Sequence, residues 1–348
     1  MKGIILSTVI TVSVLASSLT SCSPNTEDTA GRKTYISFTP MEIKTKAVTR
    51  GSQSTLSTLS SYGVSCSVYD YGSSYQTSAL GSYFYNREVD AKKGTTEYMW
   101  PGEDRSVSFF AYAPFDNANV SISGEDTAGR PVYSLTVPED VKAQPDFITA
   151  EVLDMRGGKR TDPVTLTFLH RCADVRLSVY NRGDDAITIH SISIYGIRYS
   201  GKYQNGWTLD DKVSSSASHV FTINPSSTVA AEATVDMTGS DSHIIILPQT
   251  IDAGTEFLSV DATIAGERKT LTYSLKNALS LEEGKSYMMT ISLGINYIDV
   301  DPSTGVEDWQ VDTKYLSVGT VSASNTFTQP SVNGGTVTGV SDWEPENQ

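Results

Sequence analysis

The sequence predicts an all-β protein that contains two β-sandwiches. The 348-residue chain is rich in Ser, Thr and Gly and has 18 Tyr, against 10 Phe and 4 Trp. It has no long run of the helix formers Ala, Leu, Glu and Lys, and short alternating segments recur at a spacing of about 8–12 residues. At about 150 residues per domain, the length suits two domains. A helical bundle, a coiled coil and a doubly wound nucleotide-binding domain are therefore excluded.

Residues 1–21 have the features of a signal peptide for export. Lys2 supplies the positive charge, and the apolar stretch Ile4–Leu15 is shorter than the roughly 20 residues that a spanning helix needs. Leu19 at position −3, a small residue at −1 and Cys22 at +1 match the bacterial lipobox. We therefore expect cleavage before Cys22 and lipidation of its thiol, with residues 22–33 as a flexible acidic tether.

The N-terminal sandwich is predicted to span residues 34–160. Its first strand carries Ile36 and Phe38, which alternate to form one apolar face. The predicted strands are Tyr35–Thr39, Gly63–Tyr69, Glu97–Trp100, Ser106–Ala113, Val132–Val137 and Phe147–Val152. Pro, Gly and charged residues concentrate in Arg156–Pro163, which is typical of an inter-domain connection.

The C-terminal sandwich is predicted to span residues 161–309. Ala265-Gly266-Glu267 separates two alternating segments and predicts a hairpin turn, and we expect one helical turn at Lys276–Glu283. The predicted strands are Val164–Leu169, Ala173–Tyr180, Ile187–Tyr195, Val220–Ile223, His243–Leu247, Phe257–Ile264, Arg268–Leu275 and Ser286–Leu293.

Residues 310–348 form a C-terminal appendage with two candidate strands, Lys314–Ala323 and Gly335–Val340. Large apolar side chains recur in it among Ser, Thr and Gly, more often than a free tail requires. We therefore expect another surface to cover them. They are Leu316, Val318, Val321, Phe327, Val337 and Trp343.

Charge and composition argue against several classes of function. The net charge of −14 argues against a nucleic-acid partner, because phosphate binding needs a basic surface. His170, Cys172 and Asp174 alternate along one predicted strand face, but catalytic sets usually converge from different elements, so a core His beside a buried Cys is the better interpretation. We assign no catalytic residue, metal site or cofactor.

Three further features have competing interpretations. Cys66 and Cys172 could form a disulfide in an exported protein, but two buried free thiols are favoured because they lie in different predicted domains. The acidic residues after Asp299 have an imperfect calcium-loop spacing and are better explained as a solvated turn. The Tyr residues between Tyr62 and Tyr85 could stack on sugars, although half-buried packing is the commoner role of such residues in strands.

Nine segments of the sequence are distinctive in combination. They are Leu19–Cys22, Thr45–Gly51, Tyr62–Ser65, Tyr98–Pro101, Val107–Pro114, Val164–His170, Gly284–Tyr287, Thr290–Leu293 and Val306–Trp309. Together they resemble the fimbrillin family, the type V pilins of Bacteroidales, and the resemblance covers nearly the whole chain in the order of the family.

The resemblance implies two tandem transthyretin-like β-sandwiches and a structural, non-enzymatic subunit of a surface fimbria that supports adhesion. It implies export as an outer-membrane lipoprotein, with acyl chains such as palmitate on Cys22. An arginine-specific protease would cut between Arg50 and Gly51 and remove the first strand. The terminal strand of another fimbrial subunit, in a homopolymer or an accessory position, would then fill the gap. The alternative is a monomeric surface glycan-binding lipoprotein.

Overall fold

The computed structural model describes residues 34–42, 59–123, 129–239 and 242–309. These residues form an all-β structure, which confirms the predicted fold class at this level. Their only helical segments are the short 3-10 turns Tyr75–Thr77 and Val141–Ala143. No helix in these ranges is long and apolar enough to cross a membrane.

Nine strands precede residue 171 in the part of the chain that the structure describes. They are β1 (Tyr35–Glu42), β2 (Ser61–Asp70), β3 (Phe84–Asp90), β4 (Thr95–Met99), β5 (Arg105–Ala113), β6 (Val120–Ser123), β7 (Val132–Thr136), β8 (Ile148–Arg156) and β9 (Val164–His170).

Fourteen strands follow among the described residues up to Trp309. They are β10 (Ala173–Asn181), β11 (Ile187–Ile194), β12 (Ser200–Tyr203), β13 (Trp207–Leu209), β14 (Phe221–Ile223), β15 (Ser227–Val229), β16 (Thr234–Asp236), β17 (Ile244–Ile246), β18 (Gln249–Ile251), β19 (Glu256–Ile264), β20 (Glu267–Ser274), β21 (Leu279–Leu281), β22 (Lys285–Gly294) and β23 (Tyr297–Asp308).

The N-terminal sheet has the strand order β3-β2-β5-β8-β9-β1-β4 and encloses its own core. Phe38 of β1 makes an edge-to-face contact with Phe109 of β5, with ring centroids 5.2 Å apart. Tyr62 of β2 contacts Phe168 of β9 in the same way at 5.5 Å. The two ends of the strand order therefore face each other as two layers, because alternate side chains of each strand point inward.

Two five-stranded sheets form the C-terminal part. One has the order β16-β10-β22-β23 with β17 also paired to β10, and the other has β14-β11-β19-β20 with β15 also paired to β11. Leu177, Ile192, Val260 and Ile291 come from both sheets and belong to one fully buried cluster. A two-stranded sheet of β18 and β21 completes this part.

A four-stranded sheet joins residues from the two predicted domains. Its order is β13-β12-β7-β6, with Tyr203 of β12 paired to Tyr133 of β7. Strand β9 also belongs to the N-terminal sheet, although it lies beyond residue 160. The division into 34–160 and 161–309 stays a prediction, and the seven-stranded N-terminal sheet takes its last strand in chain order, β9, up to His170.

Every strand predicted between residues 34 and 309 overlaps an observed one, whereas the two candidate strands of the appendage lie outside the described residues. The predicted helical turn at Lys276–Glu283 is wrong. Leu279–Leu281 is strand β21, which pairs with β18. Leu279 and Leu281 are buried and Ser280 between them is exposed, which is the period of a strand.

Candidate functional site

The candidate site is the position that β1 occupies in the N-terminal sheet, called the β1 slot below. Residues Phe38–Glu42 pair in parallel with Val164–Phe168 of β9. On its other side, β1 pairs antiparallel with β4, through Tyr35 with Met99 and Ser37 with Thr95. The slot is therefore an inner sheet position whose two neighbours run in opposite directions.

The inward face of β1 fills part of the N-terminal core. Ile36 and Phe38 are completely buried, and Pro40 is buried two residues further along. This confirms the alternating apolar face that the sequence predicts. Each large apolar side chain contributes about 1.5–3 kcal/mol when fully buried, so a loss of β1 would expose a substantial hydrophobic groove.

Hydrogen bonds to the backbone of β1 fix its position relative to the neighbouring segments. The Phe38 N–H donates to the Gly94 carbonyl at 2.7 Å, and the Trp100 N–H donates to the Thr34 carbonyl at 3.0 Å. The Thr96 hydroxyl donates to the Ile36 carbonyl at 2.7 Å. These groups would all lose their partners if β1 left, and buried unpaired backbone groups are costly.

Gly94 makes the closest approach to β1. Its φ is +62°, and a Cβ at this position would lie 2.0 Å from the Phe38 carbonyl oxygen. Only glycine combines this backbone conformation with this contact. The slot therefore requires a strand whose backbone lies directly against Gly94, in addition to apolar side chains at alternate positions.

The opposite face of β1 points outward. Tyr35 is 58% exposed and Met41 is 41% exposed. The alternation between these residues and the buried ones shows that only one face of a strand in this slot contacts the core. The geometry is that of a site for an extended segment, which would bind by main-chain hydrogen bonds and alternate side-chain pockets.

The structure separates the predicted site residues into two groups. Ile36 and Phe38 lie in the slot, whereas the lipidation residue Cys22 and the cleavage pair Arg50 and Gly51 lie outside the described residues. The appendage 310–348, with its candidate donor strands, also lies outside them. The lipidation, cleavage and donor-strand assignments therefore stay predictions.

His170, Cys172 and Asp174 do not lie on one strand, so that expectation is wrong. Strand β9 ends at His170 and β10 begins at Ala173. The His170 Nδ1 atom lies 2.7 Å from the Asp146 Oδ1 atom. Cys172 is completely buried, and burial raises the pKa of its thiol. A buried thiol with a raised pKa is a poor nucleophile, which agrees with the interpretation as core residues.

Asp174 belongs to a separate buried polar group. The His243 Nδ1 atom lies 2.9 Å from the Asp174 Oδ1 atom, and the Ser286 hydroxyl donates to the Asp174 Oδ2 atom at 2.6 Å. The serine thus contacts the carboxylate rather than the imidazole. This arrangement differs from a hydrolytic triad, in which the imidazole takes the serine proton.

The two cysteines of the described ranges are free and buried, as favoured from the sequence. Burial also raises the pKa of the Cys66 thiol. Asp299 and Asp301 lie within β23, so the interpretation of these residues as a turn is wrong. The Asp299 carboxylate forms an ion pair with Lys276 at 2.8 Å. Among the described residues, no group of three or more His, Cys, Asp or Glu residues is placed to hold a metal ion.

The Tyr residues of the N-terminal part are mostly packing residues. Tyr62, Tyr69 and Tyr75 are buried, whereas Tyr71 and Tyr85 are among the exposed large side chains. The Arg156 guanidinium lies over the Tyr71 ring, 4.5 Å from its centroid. The most exposed of these rings therefore has one face covered.

Sequence reasoning missed the partners of β1. The parallel β1–β9 pairing joins segments more than 100 residues apart, and local alternation does not specify such a partner. The glycine at position 94 is itself a turn signal in the sequence. Nothing in that signal gives the contact with Phe38.

Comparison with known families gives a match over most of the chain. The model of a family described as fimbrillin-like matches residues 49–309. Strand β1 lies entirely outside the matched range.

A curated relative and two solved structures are also similar. The relative is fimbrium subunit Fim1C of Phocaeicola vulgatus, which is 26% identical over 34% of this chain and 33% of its own length. This chain thus spans about a third of that relative. A fimbrial protein from Bacteroides vulgatus has a TM-score of 0.56 at 15% identity, covering 80% of this chain and 100% of its own. A candidate cell adhesion protein from Bacteroides ovatus has a TM-score of 0.52 at 15% identity, covering 81% and 100%. At these identities the two structures show a shared fold.

Proposed function

The chain belongs to the fimbrillin-like family, and we propose that it is a structural, non-enzymatic subunit of a cell-surface fimbria that supports adhesion. The β1 slot is the observation that carries this proposal. A strand that is completely buried on one face and paired on both edges lies outside the family match, at the N-terminal end of the described residues. A subunit built in this way can exchange its first strand for one from a neighbour.

The first proposed step is export as a lipoprotein. Cleavage before Cys22 would expose a thiol for acylation, and residues 22–33 would tether the folded part to the outer membrane. Because each buried CH₂ of an acyl chain contributes about 0.8 kcal/mol, two or more chains would hold the precursor firmly.

The second proposed step is proteolytic activation between Arg50 and Gly51 by an arginine-specific protease. Cleavage there would separate the segment containing β1 from the segment containing β2. The family match begins at residue 49, next to this bond. The cut would leave β1 held by hydrogen bonds and packing alone.

The third proposed step is polymerisation by donor-strand exchange. The appendage 310–348 would supply donor strands to the slot of a neighbouring subunit, either in a homopolymer or beside accessory subunits. Two tandem transthyretin-like sandwiches would then repeat along the fibre. An appendage with several apolar side chains favours a shaft-type or accessory subunit in this scheme.

Replacement of the cleavage residue tests the proposal. The Arg50→Ala protein should stay precursor-sized in cells and give no ladder on an unboiled gel of the outer membrane. Arg32→Ala and Lys46→Ala are matched controls, because they remove other basic sites in the same segment and should leave the ladder intact. Normal polymers from Arg50→Ala would overturn Arg50 as the activation site.

Replacement of the lipid acceptor tests the first step separately. Cys22→Ala should abolish labelling by a radioactive fatty acid and move the precursor out of the membrane fraction. Cys66→Ala is the control, because Cys66 is buried in the folded part and should not affect labelling. Unchanged labelling of Cys22→Ala would contradict the lipoprotein assignment.

The alternative, a monomeric surface glycan-binding lipoprotein, would give a single band on the same unboiled gel. Its candidate ligand surface includes Tyr71, which is 57% exposed, but Arg156 covers one face of this ring. The fimbrial proposal therefore has the stronger structural support.

A further inference from the structure

Strand β9 depends on β1 for most of its pairing. Five residues of β9, Val164–Phe168, pair with β1. The pairing with β8 involves only His170 with Ile148 and Leu169 with Thr149. If β1 left the sheet, β9 would stay paired with β8 only at its C-terminal end. The remaining residues of β9 would then form an unpaired sheet edge.

That C-terminal end of β9 contacts the last described residue of the chain. The His170 ring stacks on the Trp309 ring, with centroids 4.3 Å apart and planes at 11°. Asp146 holds the other side of His170 through the 2.7 Å contact with Nδ1. All three side chains are buried. Trp309 is therefore positioned in part by the strand next to β1.

A second connection between Trp309 and this segment is a short chain of backbone hydrogen bonds. The Trp309 N–H donates to the Gly284 carbonyl at 2.7 Å, and the Gly284 N–H donates to the Cys172 carbonyl at 2.9 Å. Cys172 follows β9 by two residues. Trp309 also follows Asp308, which pairs with Lys285 in the β22–β23 ladder. In addition, the ring stacking and the hydrogen-bond chain connect Trp309 to the segment that begins with β9.

Two polar atoms in this contact are buried without a partner among the described residues. They are the Trp309 Nε1 donor and the Asp146 Oδ2 acceptor. A buried polar group without a hydrogen bond is destabilising. The contact between His170 and Trp309 therefore rests on ring stacking rather than on hydrogen bonds of these two atoms.

We infer that β1 and the Trp309 contact are coupled through β9, so that loss of β1 loosens Trp309. The use of this coupling rests on the proposed function, in which β1 is removed and the chain beyond Trp309 supplies the donor strands. Removal of β1 after cleavage at Arg50 would then loosen Trp309, the residue that directly precedes the appendage. Because coupling between two sites is reciprocal, loosening of Trp309 must also weaken the retention of β1.

Hydrogen exchange measured by mass spectrometry tests the coupling in the full precursor chain. Phe38→Ala should speed exchange of the Trp309 amide and the adjacent end of β23 by about fivefold or more, the low end of typical coupling free energies. Trp309→Ala should in turn speed exchange in β1. Exchange in β11, which lies in the other C-terminal sheet, should not change.

The matched control is Val107→Ala, which truncates a completely buried residue of the same N-terminal core but on β5. It should leave the Trp309 amide unchanged. Equal acceleration by both substitutions would show general destabilisation and overturn the inference. No acceleration by Phe38→Ala, with β1 itself exchanging faster, would also overturn it.

Two further variants keep the test decisive. If Phe38→Ala does not fold, Thr96→Val loosens β1 more gently by removing the hydroxyl that donates to Ile36. In the His170→Ala background, loosening of β1 should no longer accelerate the Trp309 amide, and a persisting effect would contradict the route through β9. These measurements need neither cleavage nor polymer, so failure of the coupling and failure of the fimbrial proposal can be told apart.

Discussion

At the residue scale, Gly94 shows how a single backbone position can define the β1 slot. Its conformation with positive φ is common to several glycines of the chain, but its contact with the Phe38 carbonyl oxygen is a property of the slot. A turn signal in the sequence indicates the first property. The second depends on packing between segments that are distant in sequence, so it could not be predicted.

We predict that Gly94→Ala destabilises the protein more than Gly72→Ala does. Both glycines have positive φ, at +62° and +88°, so both substitutions carry the cost of a left-handed alanine, about 1–2 kcal/mol. A Cβ at Gly72 meets nothing within 4 Å, whereas one at Gly94 overlaps Phe38. Urea unfolding should give an additional loss of about 1–3 kcal/mol for Gly94→Ala. Equal losses would mean that the contact is not a constraint.

The buried His243 gives a second prediction at this scale, which concerns pH. Burial lowers the pKa of His243, but the hydrogen bond to Asp174 and the charge of that carboxylate outweigh burial, so the pKa lies above its ordinary value of 6.5. A raised pKa in the folded state means that the protonated ring stabilises the fold. This contribution is complete below about pH 6.5 and is lost as the pH rises through the folded-state pKa.

The free energy of unfolding should therefore differ most between the unmodified protein and His243→Gln at pH 5.5, by about 1–3 kcal/mol. The difference should shrink by pH 8.5. His190→Gln is the control, because the His190 Nε2 atom contacts the neutral Thr263 hydroxyl at 2.8 Å. A difference that is constant across this pH range would contradict the proposed role of the Asp174 contact.

At the element scale, alternation predicted strands reliably where one face is buried and the segment is long. Strand β9 is an example, with Val164, Leu166, Phe168 and His170 buried at every second position. The sequence analysis missed the seven-residue β3 and the twelve-residue β23, and the other strands that it missed are short. Strands β13, β15, β16, β18 and β21 have three residues each, too few for a period to stand out.

We predict that β1 can act as a separate element. After cleavage at Arg50 and removal of the native segment, a synthetic peptide of residues 34–42 should bind the empty slot. A peptide with Phe38→Ala should bind at least about 100-fold more weakly, because truncation of a buried Phe costs about 3–5 kcal/mol. A Thr39→Ala peptide is the control, since Thr39 lies on the opposite face. Fluorescence polarisation with labelled peptides measures the affinity of each peptide. Equal affinities of the two variants would contradict recognition through the inward-facing side chains.

At the scale of the whole molecule, the two halves are more interwoven than the sequence indicates. Tyr133 and Phe147 precede the predicted boundary, yet both belong to the core cluster that contains the C-terminal sheets. Leu166 and Phe168 follow the boundary and belong to the N-terminal cluster. Composition marks a linker at Arg156–Pro163, but the partners of a strand are set by the packing of the complete fold. Periodicity therefore predicted the class of fold and most strands, but not the sheet to which β9 belongs.

The final prediction concerns the appendage. The appendage is predicted to be a separate part of the chain that follows the two sandwiches. Deletion of residues 315–348 should then leave the precursor folded, with an unchanged melting temperature, while it removes the polymer ladder after processing. Six large apolar side chains in the appendage could contribute on the order of 10 kcal/mol to a neighbour's slot when buried. Ordering of the donor residues would offset much of this gain.

The surplus would still favour a long-lived contact, because the alternative for a cleaved acceptor is an open groove with unpaired backbone. Differential scanning calorimetry of the truncated precursor and an unboiled gel of the processed protein measure the two effects independently. A truncated precursor that does not fold would make the appendage an ordinary part of the C-terminal fold. A folded truncated precursor that still polymerises would place the donor strand elsewhere in the chain.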